Sequence, residues 1–185
     1  DSLSMTLASG SLNNAGGTIE ANQHLYIGGY GIDNTLGRII AKALDIDNHQ
    51  ALFNNTNGTV KSSTYFKLDT GELNNTGGEI TSAGPMTIKS LAFTNDNGWV
   101  QSDAKLDIDT QGHLLSNINS GAGVDADTQR QRGLISLGAF TLKTGNFVNK
   151  AGRVLARGNL TVDAQDIDNE GGTINSDGTA QINAT

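Results

Sequence analysis

Leu73–Ser82 reads Leu-Asn-Asn-Thr-Gly-Gly-Glu-Ile-Thr-Ser. An apolar residue opens this stretch, an asparagine follows two positions later, and Gly78 comes three positions after that asparagine. Ile80 then precedes a small residue at position 82, and the apolar pair Met86/Ile88 follows after a short gap. Such a pattern has to be tested for repetition first, because a repeat determines the architecture of the whole chain.

The pattern recurs with a period of about 20 residues. Its glycine is Gly17, Gly37, Gly58, Gly78, Gly98, Gly133, Gly152 and Gly172, with spacings of 20, 21, 20, 20, 35, 19 and 20. The asparagine column is Asn14, Asn34, Asn55, Asn75, Asn95, Asn117, Asn149 and Asn169. Two residues after each glycine stands an apolar residue, from Ile19 in the first copy to Ile135 and Val154 near the end. Because eight copies share this pattern in register, their similarity to one another is not due to chance.

Each copy contains apolar residues at every second position in short segments separated by turn residues, which is typical of strands and not of helices. Strands this short cannot bury a core alone, but stacked coils can, with about 4.8 Å between neighbouring coils. The sequence therefore predicts an all-β parallel β-helix over residues 1–185, a single segment of about nine coils. A leucine-rich repeat would need a helical or 3₁₀ arc and several leucines in each coil, which the pattern lacks.

The asparagine column is predicted to be structural. A buried carboxamide needs hydrogen-bond partners, and stacked asparagines can supply them to one another. The glycine is expected where φ is positive or where coils crowd together. On the outer surface Lys89 falls between Asp69 and Asp109, an alternation of charge that contributes about 0.2–1 kcal/mol for each exposed pair. Trp99 occupies an outward position and is expected to pack against a neighbouring turn.

Composition excludes several classes of function. The chain has a net charge of −7 and no basic cluster, so a nucleic-acid partner is excluded, because such binding depends on concentrated Lys and Arg. It has no cysteine, and hence neither disulfides nor thiolate metal sites. His24, His49 and His113 lack the spacing of metal ligands. No cofactor is predicted.

The repeat, carried most clearly by Leu73–Ser82, resembles the haemagglutinin repeat of filamentous haemagglutinins. These are exoproteins of bacterial two-partner secretion, which include adhesins and contact-dependent growth-inhibition toxins. The resemblance implies a right-handed β-helix, export through an outer-membrane secretion partner, and a secreted or surface location associated with the outer membrane. It also implies a shaft that holds an adhesive or toxic tip towards a cell-surface receptor or glycan. Because the pattern is unfinished at both ends, we expect adjoining repeats on either side.

A carbohydrate-active β-helix enzyme, a lyase or glycosidase, is the alternative function. Such chemistry needs paired carboxylates or a bound metal. The candidate pairs are Asp45/Asp47, Asp107/Asp109 and Asp166/Asp168. Side chains two apart on a strand share a face, but these pairs lie several coils apart and no long loop walls a cleft beside them. The sequence therefore favours solvated charge, and the protein is not expected to be an enzyme.

One turn is interrupted. Asn117 and Gly133 are 16 residues apart where the other copies have 3, which places an inserted loop at 118–132. Insertions in solenoids often carry binding residues. The candidate contact residues are Asp125, Asp127, Arg130 and Arg132. The alternative is a tolerated surface excursion without a role. Because the core columns continue on both sides of the insertion, residues 119–131 are predicted to be dispensable for the fold.

Overall fold

The computed structural model describes residues 1–121 and 132–185. This part of the chain contains 22 strands and no helix. The strands are β1 (Leu3–Thr6), β2 (Leu12–Asn13), β3 (Thr18–Gly28), β4 (Ile32–Asp33), β5 (Arg38–Asp47), β6 (Phe53–Asn54), β7 (Thr59–Asp69), β8 (Leu73–Asn74), β9 (Glu79–Ser82), β10 (Met86–Lys89), β11 (Phe93–Thr94), β12 (Trp99–Ser102), β13 (Leu106–Asp109), β14 (Leu115–Ser116), β15 (Gly133–Ser136), β16 (Phe140–Lys143), β17 (Asn146–Val148), β18 (Arg153–Ala156), β19 (Leu160–Ala164), β20 (Asp166–Asp168), β21 (Thr173–Ser176) and β22 (Ala180–Ala184). With no helix among these elements, none of the described residues forms a helical membrane span.

All strand pairs are parallel and join one coil to the next. A 14-stranded sheet and an eight-stranded sheet run along the stack, the second in the order β2-β4-β6-β8-β11-β14-β17-β20. Identical slots of the repeat pair directly, as Met86 does with Leu106 and Ile88 with Ile108. The predicted all-β fold is confirmed: the chain is a parallel β-solenoid of about nine turns, with coils about 20 residues apart.

The first three complete coils differ from the later ones in how they turn their first corner. β3, β5 and β7 continue through this corner as strands of 11, 10 and 11 residues, with a register shift where they bend. From β9 onwards the strand is split in two. Gly84 and Pro85 end β9 in the first split coil, and Gly138, Gly158 and Gly178 stand at the corner in later ones. Gly and Pro are depleted in strands, and they stand at four of the five split corners, the exception being residues 103–105 between β12 and β13.

The core is a set of inward columns that fill the solenoid from end to end. In the middle of the eight-stranded sheet the column alternates between aromatic and aliphatic side chains that are 0–1% exposed. Its central members are Phe53, Leu73, Phe93, Leu115 and Phe147. Alternation of larger and smaller side chains lets neighbouring layers interdigitate at the density that protein interiors require.

The turn that follows each ladder asparagine explains the repeat glycine. The left-handed residue of this turn is the one before that glycine, or before Ser120 in the interrupted coil: Gly16, Leu36, Asn57, Gly77, Asn97, Asn119, Ala151 and Gly171. The repeat glycine itself lies where neighbouring coils crowd together, which was the second of the two reasons expected for it. A Cβ added to Gly78, for example, would collide with the backbone oxygen of Asn55 in the preceding coil.

The structure corrects the sequence-based register in one coil. Gly133 pairs with Trp99, the residue that follows a repeat glycine, so Gly133 is not itself the repeat glycine. The inward residue is therefore Leu134, which is fully buried and pairs with Val100. Ile135 was predicted to point inward, and that prediction was wrong. Gly133-Leu134-Ile135 fits the Gly-x-Ile motif, but strand pairing with the neighbouring coils aligns Leu134, and not Ile135, with their inward residues Val100 and Val154.

Ile135 belongs instead to a small apolar cluster on the outer side of the large sheet. Its other members are Trp99 and Leu155, and all three side chains are 5–7% exposed. The outward column of Ile135 and Leu155 holds polar residues in coils on either side of the cluster, such as Thr81 and Asn175. Trp99 is thus buried in an outward position.

Candidate functional site

The asparagine column is one continuous hydrogen-bonded ladder. The Nδ2 group of each asparagine donates to the Oδ1 atom of the next at 2.7–2.8 Å. The seven links join Asn14, Asn34, Asn55, Asn75, Asn95, Asn117, Asn149 and Asn169 in that order. The six interior carboxamides are fully buried, whereas the last residue is exposed. The ladder also bridges the interrupted coil.

Each interior asparagine ties its own turn and both neighbouring coils together. Asn75 accepts from Asn55, donates to Asn95, and lies 3.2 Å from the carbonyl oxygen of Gly78. Its backbone carbonyl accepts the Gly78 N–H at 3.0 Å, which closes the turn. Every polar atom of this buried side chain is therefore bonded, as the cost of burying an unpaired amide requires.

The other two corners of the coil have inward columns of small side chains. One is the Ser/Ala position at the end of the repeat motif, and it contains Ala21, Ala41, Ser62, Ser82, Ser102, Ser136 and Ala156. The second column was missed by the sequence analysis: Asn48, Thr70, Ser90, Thr110 and Thr144. The signal that could have found it is a small residue two positions after each apolar pair, which is polar in five of the eight coils.

The second corner column bonds to its own turns and to its neighbours. Asn48 donates from Nδ2 to the Thr70 hydroxyl oxygen at 3.0 Å, and the Thr70 hydroxyl donates to the carbonyl of Ala51 at 2.8 Å. The hydroxyl oxygens of Thr110 and Thr144 lie 2.8 Å apart. In the second corner column, side chains therefore bond both to one another and to backbone carbonyls of the adjoining turn.

The interruption begins later than predicted. Asn117-Ile118-Asn119-Ser120 forms the ordinary turn, because Asn119 has the left-handed φ of 56° and its N–H donates to Lys150 O at 2.9 Å. The Ser120 hydroxyl donates to the Asn117 Oδ1 atom at 2.8 Å. The lower boundary of 118 was therefore wrong: residues 118–120 belong to the coil, and the extra residues are 121–132.

Ser120 also replaces a backbone group that the other coils use. The N–H of Arg153 donates to the Ser120 hydroxyl oxygen at 3.2 Å. In the regular coils this acceptor is the carbonyl oxygen of the repeat glycine, as with Thr173 and Gly152 at 2.9 Å. A serine side chain thus completes the ladder of bonds at the point where the main chain departs.

Both described ends of the interruption bond to the same corner of neighbouring coils. The Gly121 N–H donates to Ala151 O at 3.0 Å. Arg132, one of the candidate contact residues, donates from Nη1 to Asn97 O at 2.6 Å and lies 3.4 Å from Gly77 O. The guanidinium group therefore holds two left-handed turns. The other candidates, Asp125, Asp127 and Arg130, lie outside the described residues.

The first candidate carboxylate pair belongs to a surface network. Asp45 accepts a hydrogen bond from the Tyr65 hydroxyl at 2.7 Å, and its Oδ2 atom lies 2.6 Å from His24 Nε2. The bond to Asp45 raises the pKa of Tyr65, and desolvation and the negative charge of Asp45 act in the same direction. Its neighbour Asp47 bonds to His49 at 2.9 Å. The two carboxylates thus have separate partners.

The other carboxylate pairs are also held by surface charges. Asp107 pairs with Lys105 at 2.9 Å. Lys150 lies 3.0 Å from Asp168 and 3.2 Å from Glu170. The hydrogen bond from Lys150 lowers the pKa of Asp168, and the bonds to Asp168 and then Glu170 raise the pKa of Lys150. The structure does not bring the three candidate pairs together.

In the described part of the chain, no surface groove brings together a cluster of side chains that suggests catalysis or metal binding. The groove at the bend of the long strands has a volume of about 480 Å³ and is lined by side chains of mixed character, including Lys42, Lys61 and Gln101. Lys61 pairs with Glu79 at 2.9 Å. Residues 1–121 and 132–185 hold no group of three or more His, Cys, Asp or Glu side chains suited to a metal ion.

The family comparison covers the same repeats that the geometry defines. The sequence model described as "Haemagglutinin repeat" matches residues 3–64, 39–122, 96–151 and 118–185. The chain belongs to the haemagglutinin repeat family. This confirms the resemblance carried by Leu73–Ser82. Neither the curated proteins nor the solved structures gave a match.

Membership of the haemagglutinin repeat family fixes the broad role of the chain. The family supports a structural shaft of a secreted, adhesin-like protein, and it is in general non-enzymatic. It also implies a secreted or cell-surface exoprotein. The asparagine ladder links each coil of the shaft to the next, and it thereby holds the haemagglutinin repeats in register.

Proposed function

We propose that the chain is a shaft segment of a secreted or surface-displayed bacterial exoprotein that presents an adhesive or toxic tip to other cells. The observation that carries the proposal is the unbroken asparagine ladder, which continues from Asn34 to Asn149 through fully buried carboxamides. A spacer needs such continuity, because each coil must fix the rotation and height of the next.

The geometry suits a spacer of adjustable length. Each coil adds about 4.8 Å, so nine coils extend roughly 40 Å. In solenoids each repeat contacts only its neighbours, so stability accumulates with repeat number and coils can be added without redesign. Repeats added at either end would extend the rod by the same principle.

The same nearest-neighbour contacts support export through an outer-membrane secretion partner. A chain that leaves a pore from one end has to fold from local contacts. Here the ladder partners are 20–22 residues apart in the regular coils and 32 apart at the interruption. Folding can therefore nucleate in a few coils and propagate along the rod as further coils emerge.

The test is to shorten the shaft within the exoprotein that contains it. Deleting residues 58–77 removes one complete coil and joins Asn57 to Gly78 in register. We expect normal export, surface display and receptor or glycan binding, because only the length changes. The control deletion of 58–67 removes half a coil and is expected to abolish export or display. Loss of binding after the whole-coil deletion, with display intact, would show that this segment carries a contact of its own.

An enzymatic role has a separate test. Acidic polysaccharides are incubated with the native chain and with an Asp107→Asn, Asp109→Asn variant. We expect no cleavage by either protein, because Asp107 is engaged by Lys105 and no metal cluster lies among the described residues. If the native chain cleaves these polysaccharides and the variant does not, the proposed shaft function is wrong and the chain is a carbohydrate-active enzyme.

A further inference from the structure

Two asparagines in the left-handed turn column are followed by glycine. They are Asn57-Gly58 and Asn97-Gly98, the only Asn-Gly dipeptides in the sequence. Glycine has no side chain to hinder its backbone nitrogen, so this nitrogen attacks the preceding carboxamide more readily than that of any other residue. Asn57 and Asn97 are exposed to solvent, which supplies the water needed to complete the reaction.

We propose that Asn57 and Asn97 are latent sites of spontaneous deamidation, which the closed coil suppresses and the opening of a coil releases. The glycine nitrogen forms a bond to Cγ of the asparagine, the bond from Cγ to Nδ2 breaks, and ammonia leaves with the proton of the glycine amide. Water then opens the resulting succinimide at either carbonyl carbon. The product is aspartate or isoaspartate, and the net change is one amide plus water to one carboxylate and ammonium.

The closed turn occupies the attacking nitrogen. The Gly58 N–H donates to Asn55 O at 3.0 Å, and the Gly98 N–H donates to Asn95 O at 2.9 Å. These carbonyls belong to buried ladder residues, so the bonds are held by the interior of the rod. Attack on the preceding carboxamide requires the hydrogen bond to break and the peptide to rotate, and both require the coil to open.

The reacting side chain is held as well. Asn57 has a φ of 51°, and Asn97 has 52°. The carboxamide of Asn57 lies over Gly77 of the next coil. It lies so close that a Cβ added to Gly77 would collide with the Oδ1 atom of Asn57. The carboxamide is thus packed against the neighbouring coil.

Arg132 distinguishes the two sites. Its guanidinium group donates to Asn97 O at 2.6 Å, the carbonyl of the same peptide whose nitrogen has to attack. No side chain of the described residues donates to the corresponding carbonyl of Asn57. The peptide between Asn97 and Gly98 is therefore held from both sides, and in the native protein we expect Asn57 to react first.

The isoaspartate product would prevent the turn from closing again. Isoaspartate adds a methylene group to the main chain immediately before Gly58. There is no room for this shift, since even a Cβ on Gly58 would collide with the backbone oxygen of Asn34. Each event also adds one negative charge to a chain whose net charge is −7. The modification is therefore a one-way mark of a coil that has opened.

The experiment follows deamidation by peptide mass mapping, with an isoaspartate assay, during incubation in mildly alkaline buffer. In denaturant we expect Asn57 and Asn97 to react at similar rates, ahead of every other asparagine. In the native protein the rate at Asn57 should fall about a hundredfold and the rate at Asn97 should fall further, because reaction then tracks the population of the locally opened state. Equal rates in native and denatured protein would overturn the proposal.

Two variants separate the contributions. Arg132→Gln should raise the native rate at Asn97 to that at Asn57 and leave Asn57 unchanged. Asn57→Gly should abolish the reaction at that turn and preserve the fold, because Gly16 and Gly77 occupy the same slot in other coils. If Arg132→Gln leaves both rates unchanged or raises both equally, local closure does not control the reaction and the proposal fails.

Discussion

Removing residues 121–132, with Ser120→Gly, is expected to leave the thermal stability of the rod unchanged, whereas removing 119–131 is expected to lower it substantially. In regular coils the inward residue stands five positions after the ladder asparagine, and in the interrupted coil Leu134 stands 17 after Asn117. Deleting 12 residues restores the spacing of five, but deleting 13 leaves four. The substitution at position 120 restores glycine where coils crowd together.

A slip of one residue turns every side chain of a strand to the other face. Ile135 would then point inward, which its apolar side chain permits. Leu137, however, would enter the small-residue corner column in place of Ser136. The Ser136 hydroxyl oxygen lies 2.7 Å from Ala104 O and 2.9 Å from Ala139 O. Overpacking this corner and removing its bonds should cost about 3 kcal/mol in free energy of unfolding.

Thermal and denaturant unfolding of the two deletion variants and the parent chain provide the measurement. The deletion of 12 residues is the control for loop removal itself, which changes the closure entropy only slightly. Equal stability of the two variants would mean that this coil tolerates either phase. The register assigned from the pairing of Trp99 with Gly133 would then not govern its stability.

Asn75→Leu is expected to lower the free energy of unfolding by about 3 kcal/mol, because it breaks the ladder in both directions. Asn55 Nδ2 would lose its acceptor and Asn95 Oδ1 its donor, and both atoms are fully buried. Leucine has the same branching as asparagine but bulkier methyl groups, so overpacking of this buried site adds to the cost of the lost hydrogen bonds. The added apolar burial offsets only part of this cost.

The matched control for the ladder is Asn22→Leu. Asn22 is exposed and makes no side-chain hydrogen bond with the described residues, so the substitution should change the stability by less than about 0.5 kcal/mol. Denaturant unfolding of both variants measures the difference. If the two substitutions have the same small effect, the carboxamide column does not stabilise the rod.

The sequence predicted the architecture and the ladder because both follow from strict periodicity. A column such as Asn55, Asn75 and Asn95 repeats one residue type at one spacing, and its buried hydrogen bonds admit few replacements. The inward slots tolerate any apolar side chain of suitable size, so they keep a pattern but no single letter. This tolerance explains the error at Gly133, where Leu134 and Ile135 are equally apolar and the motif fits in two phases.

Other features had only a weak signal in the sequence. The second corner column changes from Asn48 to Thr70 to Ser90, so only small size and polarity recur. Ser120 was assigned to the insertion because its slot normally holds glycine. Its hydroxyl acts there in place of a backbone carbonyl, a substitution that depends on the path of the main chain and not on spacing.

Hydrogen exchange of the asparagine side-chain amides, resolved by NMR, tests the central claim most directly. The buried ladder amides are those of Asn34, Asn55, Asn75, Asn95, Asn117 and Asn149. Because each donates to the next coil, its Nδ2 protons should exchange only when coils separate, as slowly as the backbone amides of the core strands. The amides of the exposed Asn22 and Asn159 should exchange at the rate of a free side chain. Ladder amides that exchange as fast as those two would contradict a continuous, buried, hydrogen-bonded column.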